Sequence, residues 1–87
     1  SKINKKNLDN MFIHIGTFYS FDTANFLKKR IIKEISEINN KKIKIKKINN
    51  KETQVISGPY TSVNLLKNDY IMLKNFGFEE LDILINE

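Results

Sequence analysis

The sequence predicts an α+β domain with the element order βαββαβ, in which four antiparallel strands form one sheet and two helices cover one of its faces. Two observations support this prediction. A short apolar run that ends in glycine and leads into a capped helix pattern occurs twice, around Gly16 and around Gly58. Between these units, Lys42 to Ile48 alternates lysine with isoleucine, which is typical of a strand with one buried and one solvated face.

The two apolar units agree position by position. When they are aligned on their glycines, each continues with an aromatic residue, a serine, an apolar residue and an Asp or Asn at the same offsets. The matching pairs are Phe18 and Tyr60, Ser20 and Ser62, Phe21 and Val63, and Asp22 and Asn64. One strand-turn-helix unit is therefore used twice.

The first strand, Met11 to Phe18, is short and rich in β-branched and aromatic residues. Both of its faces are largely apolar, which predicts a central position in the sheet. Alternation divides its side chains into a core set, Met11, Ile13 and Ile15, and an opposite set, Phe12 and His14.

Ser20 is the expected N-cap of the first helix, and Asp22 in the first turn complements the helix dipole. We expect this helix to run to about Ile38. Its apolar residues recur with helical spacing and form one buried stripe, consisting of Ala24, Leu27, Ile31, Ile35 and Ile38.

The second strand follows, with Ile43 and Ile45 facing the core and Lys44 and Lys46 facing outward. Its lysines either solvate and protect a sheet edge or take part in binding. The next segment, 49–51, predicts a hairpin connection, because asparagine tolerates left-handed backbone conformations.

The third strand runs from Glu52 to Ser57 and is expected to stop at Gly58-Pro59. Alternation places Val55 with the core set and places Glu52, Gln54 and Ile56 on the opposite face.

The second helix begins after a cap at Thr61 or Ser62 and ends at Gly77, a residue type favoured at helix C-termini. Leu81 to Ile85 is the fourth strand, and we expect Ile83 to face the core. The buried stripe of this helix is Val63, Leu66, Tyr70 and Leu73, widened by Leu65, Met72 and Phe76.

Right-handed crossovers between these elements favour the spatial strand order 4-1-3-2 of a ferredoxin-like or RNP-like fold. Residues 1–10 are polar and lack periodicity, so we expect a linker or disordered end before a single domain at 11–87. In this arrangement the outward side chains of the two central strands share a face that neither helix covers.

Composition limits the chemistry of the domain. The chain has no cysteine and one histidine, so neither a thiolate metal site nor a histidine cluster is available, and we expect no cofactor and no metal. No apolar run approaches the ~18 residues that a membrane span needs. The net charge of +5 favours either an anionic partner or solubility, and lysine supplies nearly all of the positive charge.

The two central strands resemble the motifs of SPOR domains. The first segment, Phe12-Ile-His-Ile-Gly-Thr-Phe18 with Ala24 behind it, is similar to the family's apolar-Val-Gln-apolar-Gly-small-Phe motif with a later alanine. The second, Gln54-Val-Ile-Ser-Gly-Pro-Tyr60, is similar to Arg-Val-x-x-Gly-Pro-aromatic. The resemblance covers residues 11 to 85.

This resemblance implies a non-catalytic domain that binds septal peptidoglycan glycan strands denuded of their stem peptides. It implies a bacterial envelope or periplasmic protein located at the division septum, whose other parts can include a catalytic domain such as a lytic transglycosylase. The family's binding positions fall on His14, Thr17, Glu52 and Gln54, and three of these depart from the usual choices of Gln, aromatic and Arg. We expect a monomer that contacts neither nucleic acid nor membrane.

The residues themselves favour the same face for binding a sugar strand, which presents hydroxyls, acetamido groups and apolar ring faces. Phe12 and His14 are suited to stacking, Thr17 to donating, and Gln54 to donating and accepting. Ile56 shares their strand face, and Lys44 and Lys46 flank it from the second strand.

Two alternatives remain. An RNA-recognition module has the same strand order and uses the same sheet face, but its third strand carries aromatic residues, whereas here it reads Glu-Thr-Gln-Val-Ile-Ser. A protein–protein docking module is the other alternative.

Overall fold

A computed structural model describes residues 11–85. It contains strands β1 to β4 and helices α1 and α2, which are β1 (Met11–Phe18), α1 (Phe21–Glu34), β2 (Ile43–Lys47), β3 (Thr53–Tyr60), α2 (Val63–Phe76) and β4 (Asp82–Ile85). The four strands form one antiparallel sheet in the order β2-β3-β1-β4, which confirms the predicted fold and strand order. None of the described helices has the length and apolar character needed to cross a membrane. The predicted linker at 1–10 and the last two residues, 86–87, lie outside the described range.

Both predicted helix starts are confirmed by capping hydrogen bonds. The Ser20 hydroxyl accepts from the Thr23 backbone N–H at 3.1 Å, and the Ser62 hydroxyl accepts from the Leu65 backbone N–H at 3.1 Å. Ser62 rather than Thr61 is therefore the second cap. These bonds satisfy donors that the first turn of a helix leaves without partners.

Helix α1 is shorter than predicted. It ends at Glu34, because Ile35 leaves helical geometry with φ −116° and ψ 77°, although its N–H still bonds to the Ile31 carbonyl. A turn closed by the Ile38 N–H and the Ile35 carbonyl follows, and both isoleucines remain buried. The spacing thus predicted their burial correctly, but a turn rather than a helix brings them to the core. A 3₁₀ turn, Asn40–Lys42, then leads into β2.

Strand β3 does not stop at Gly58-Pro59, as predicted, but continues to Tyr60. Between the pairs Ile13↔Ser57 and Met11↔Tyr60, Gly58 and Pro59 both oppose the single residue Phe12, which makes a β-bulge. A bulge interrupts the hydrogen-bond ladder, so a proline that lacks an N–H is tolerated there.

Strand β1 contains a second bulge. Its pairs His14↔Ile56 and Gly16↔Val55 leave Ile15 as an extra residue. Its extra residue, Ile15, immediately precedes Gly16, and the bulge in β3 contains Gly58, so each unit of the sequence repeat has a bulge beside its glycine.

The core lies between one side of the sheet and the two helices. Its buried members are Met11, Ile13, Ile15, Ala24, Ile31, Ile35, Ile38, Ile43, Val55, Tyr60, Leu66 and Leu73. Three residues predicted to be buried are not. Val63 and Leu65 are exposed on α2, and Ile83, on the edge strand β4, is 50% exposed. An edge strand has a neighbouring strand on one side only, which leaves its side chains less covered than those of β1 and β3.

A buried polar group stabilises the junction of β3 with α2. The Tyr60 hydroxyl donates to the Asp69 carboxylate at 2.7 Å and lies 2.6 Å from the Ser57 hydroxyl. Burial raises the pKa of the Tyr60 phenol far above its usual value; the hydrogen bond with Ser57 lowers this pKa in part, and the hydrogen bond to Asp69 and the charge of Asp69 raise it further. The phenol therefore stays protonated and keeps donating.

The predicted hairpin between β2 and β3 is confirmed, but the reason given for it is wrong. No residue other than glycine has a positive φ in the described part of the chain. Instead, the Asn49 side-chain oxygen accepts from the backbone N–H groups of Lys51 at 2.7 Å and Glu52 at 2.9 Å. Asparagine serves here as a side-chain acceptor that closes the turn.

Candidate functional site

The candidate site is the side of the sheet opposite α1 and α2, which we call the open face. Cross-strand pairing arranges its side chains in three rows, and side chains directly opposite one another in such rows lie about 4.5–5.5 Å apart at Cβ. The rows are Leu84 and Phe12; Asp82, His14, Ile56 and Lys44; and Thr17, Gln54 and Lys46.

Thr17 reaches the open face only because of the bulge in β1. Strict alternation would place residue 17 on the same side as Ile13 and Ile15, which are in the core. The extra residue Ile15 reverses the alternation, so that Thr17 pairs with Gln54 on the open face. His14 and Thr17 thereby come together, with His14 Nε2 2.8 Å from Thr17 Oγ1.

Gln54 occupies the centre of the polar row. It lies between Thr17 on β1 and Lys46 on β2, while His14 is its diagonal neighbour. Thr17 and Lys46 are exposed, whereas His14 and Gln54 are half-buried. The Thr17 hydroxyl therefore has the Gln54 carboxamide opposite it and the His14 imidazole in contact with it.

Phe12 extends the site on its apolar side. Its ring lies against the bulge in β3, where a Cβ added to Gly58 would come within 2.6 Å of Phe12 Cδ2. Gly58, with φ +147°, thus both adopts a backbone conformation that favours glycine and leaves room for the aromatic ring. The half-buried ring borders His14 along the strand.

Two predicted site residues have other roles. Ile56 lies on the open face but is only 7% exposed, so it forms the floor of the middle row and offers little surface to a ligand. Glu52 precedes β3 and belongs to the hairpin, where its carboxylate accepts from the Asn49 side-chain amide at 3.2 Å. The prediction that Glu52 lies in the strand is wrong because the chain turns until Thr53.

Lys44 and Lys46 are exposed on β2, as predicted, and they lie opposite Ile56 and Gln54 respectively. They make that edge of the open face positively charged. At the other edge, Asp82 pairs with His14, so the face changes from basic to acidic from β2 to β4.

Sequence reasoning did not identify Asp82 and Leu84 as open-face residues, although the signal was available. The predicted order places the fourth strand beside the first, and alternation puts residues 82 and 84 on the face opposite Ile83. The structure pairs these two residues with His14 and Phe12 respectively.

The open face combines a planar apolar surface with donors and acceptors at fixed positions. This chemistry suits a neutral or anionic polar ligand with apolar faces. Within residues 11–85, no group of three or more His, Cys, Asp or Glu side chains is placed to hold a metal ion. Comparisons of the chain with protein-family models, curated proteins and solved structures found no match.

Proposed function

We propose that this domain is a non-catalytic, SPOR-like module that binds peptidoglycan glycan strands on its open face, with a preference for strands denuded of stem peptides. It would direct an envelope protein to the division septum. The proposal joins the motif resemblance of the two central strands to the geometry of the face on which those motifs lie.

The observation that carries the proposal is the contact between His14 and Thr17, with Gln54 opposite Thr17. His14, Thr17 and Gln54 thus present hydrogen-bonding groups on the open face, and Phe12 follows His14 along the same face of β1. Sugar hydroxyls and acetamido groups need such mixed donors and acceptors, while the apolar faces of the rings pack on aromatic side chains. These side chains suit an extended polymer that is uncharged or weakly anionic.

The lysines at the β2 edge support the preference for denuded strands. Removal of the stem peptide leaves the lactyl group of muramic acid as a free carboxylate, whereas an intact strand presents a bulky peptide there. Lys44 and Lys46 lie within reach of a chain that crosses Ile56 and Gln54. They add attraction at long range and modest affinity at contact.

The RNA-binding alternative is less well supported by the side chains on the open face. Modules of that class stack bases on aromatic residues of their central strands. Here β3 contributes Gln54 and the buried Ile56 to this face, and the planar groups, Phe12 and His14, are both on β1.

The test is a pull-down with purified, protein-free sacculi, with and without prior amidase treatment. We expect the domain to bind amidase-treated sacculi more strongly than untreated ones. A variant with His14→Ala and Gln54→Ala should lose this binding and, as a fluorescent fusion, its septal localisation. It should fold normally, because neither side chain belongs to the buried core.

The matched control is Asn64→Ala with Asn68→Ala, two exposed changes on α2. This variant should bind like the wild type. If the folded His14, Gln54 variant still binds sacculi, the site lies elsewhere. If the wild type binds poly(U) RNA and fails to bind treated sacculi, the glycan proposal is wrong.

A further inference from the structure

The outer face of α1 carries an aromatic residue where a solvated helix face normally carries polar ones. Phe26 is 68% exposed, and Lys29, Arg30 and Lys33 follow it at offsets of three, four and seven residues. Residues with these offsets share one helix face. The buried stripe of α1 supplies the core contacts, so packing within the domain does not account for Phe26.

These side chains surround a recess rather than a flat surface. Phe26, Lys29, Arg30, Lys33 and Glu34 line a cavity of about 440 Å³. A second cavity of about 300 Å³ shares Glu34 and continues between the C-terminal parts of the two helices. Its lining adds Ile35, Met72 and Phe76 together with the polar residues Glu37 and Asn75, and we call the two cavities together the groove.

The groove has an excess of positive charge. Within residues 11–85, the ion pair between Arg30 Nε and Glu34 Oε2, at 3.1 Å, is the only one formed. In the first cavity this pair offsets Glu34 and leaves Lys29 and Lys33 as the net charge, while Glu37 adds one negative charge in the second cavity. The Arg30 guanidinium also lies 5.8 Å from the centre of the Phe76 ring, an arrangement typical of a cation–π contact that holds this side chain between the helices.

We propose that this groove is a docking site for an acidic segment of a partner protein that carries an apolar side chain. The apolar side chain would enter the recess beside Phe26, and the carboxylates would lie over Lys29 and Lys33. Exposed aromatic residues in recesses are typical anchors of protein interfaces, and surrounding charges select the partner by sign. The groove is on the helix side of the sheet, so it can be occupied while the open face is engaged, and it does not depend on the proposed glycan binding.

An anionic bilayer is the competing partner for an aromatic and basic surface. A bilayer, however, contacts the side chains that protrude from a surface and makes no contacts inside a recess of this volume. The concave shape therefore favours a peptide.

The test titrates the ¹⁵N-labelled domain with a synthetic amphipathic peptide in which glutamates flank leucine and tryptophan. A second peptide with lysine in place of each glutamate is the control. We expect amide shifts centred on Phe26, Lys29 and Lys33, and no binding of the lysine peptide. Fluorescence anisotropy of the labelled peptide gives the affinity.

Phe26→Ala should weaken binding roughly tenfold, as expected for an interface anchor. Lys29→Glu with Lys33→Glu should weaken it severalfold in low salt. The control Lys51→Glu with Lys67→Glu makes the same change in net charge outside both cavities and should leave the affinity unchanged. All of these side chains are exposed, so the variants should fold.

Three results would overturn the proposal. One is absence of shifts on α1 with the acidic peptide. Another is equal weakening by the two charge-reversed variants, which would indicate unspecific attraction. The third is sedimentation with phosphatidylglycerol vesicles that depends on Phe26 while the peptide fails to bind, which would assign the groove to a membrane surface.

Discussion

Replacing Gly58 with alanine tests whether the bulge in β3 positions the ring of Phe12 on the open face. The new Cβ would lie 2.6 Å from Phe12 Cδ2 and 2.9 Å from the Met11 carbonyl oxygen, closer than real Cβ contacts allow. The φ of +147° adds backbone strain of about 1–3 kcal/mol. Overpacking typically costs a further 1–3 kcal/mol or so, and the carbonyl belongs to the backbone and yields little. We expect a total loss of about 2–6 kcal/mol in the free energy of unfolding.

Gly77→Ala is the matched control. Gly77 also has a positive φ, +129°, but a Cβ there would meet no atom within 4 Å. Gly77→Ala should therefore lower the free energy of unfolding through backbone strain alone, by about 1–3 kcal/mol. Urea denaturation of the two variants gives the difference, which measures the clash with Phe12 and Met11.

Glycan binding provides the second readout. The Gly58 variant should bind amidase-treated sacculi less well than the Gly77 variant at temperatures where both are folded, because Phe12 must move. Equal losses of stability in the two variants would show that the ring of Phe12 does not rest on Gly58. Unchanged sacculus binding would show that its position does not matter to the ligand.

Three further predictions follow from the core, the buried hydroxyl and the basic edge. Leu66→Ala should cost about 2–5 kcal/mol in chemical denaturation, and a loss below ~1 kcal/mol would mean that α2 is misplaced. Because burial raises the pKa of Tyr60, the unfolded chain loses a proton above pH ~10 that the folded protein keeps, so stability should fall as pH rises beyond that value. Tyr60→Phe should flatten that dependence in urea titrations, and an equally steep fall in the variant would contradict the assignment. Lys44→Glu with Lys46→Glu should weaken binding to denuded glycan severalfold at low ionic strength with little change in melting temperature, since exposed pairs contribute about 0.2–1 kcal/mol each. Equal binding by this variant and the wild type in low salt would show that the lysines only solubilise the edge.

The elements that the sequence predicts well are those set by local periodicity. The isoleucine-lysine alternation of β2, the helical stripe around Ile31 and the serine caps depend on neighbours within a few residues, so a single segment contains the whole signal. The strand order also follows, because connection lengths and handedness allow few arrangements.

The features that the sequence did not predict depend on pairing between distant segments. The alignment of β1 with β3 decides whether Ile15 is an extra residue. The same alignment places Tyr60 on the core side. Strict alternation starting at Val55 would have placed Tyr60 on the open face. Its burial, and its contacts with Ser57 and Asp69, result from the bulge at Gly58. The residue types were visible in the sequence, but their register was not.

The same bulges connect the repeat to the candidate site. Each repeat unit turns its aromatic residue toward the core side, where Phe18 packs against the core and Tyr60 is buried within it. On the open face, the first unit then places Thr17 beside His14, and the second unit places Gly58, which has no side chain, against the ring of Phe12. A bulge in each unit thus contributes to the single open face, one on its polar side and one on its apolar side.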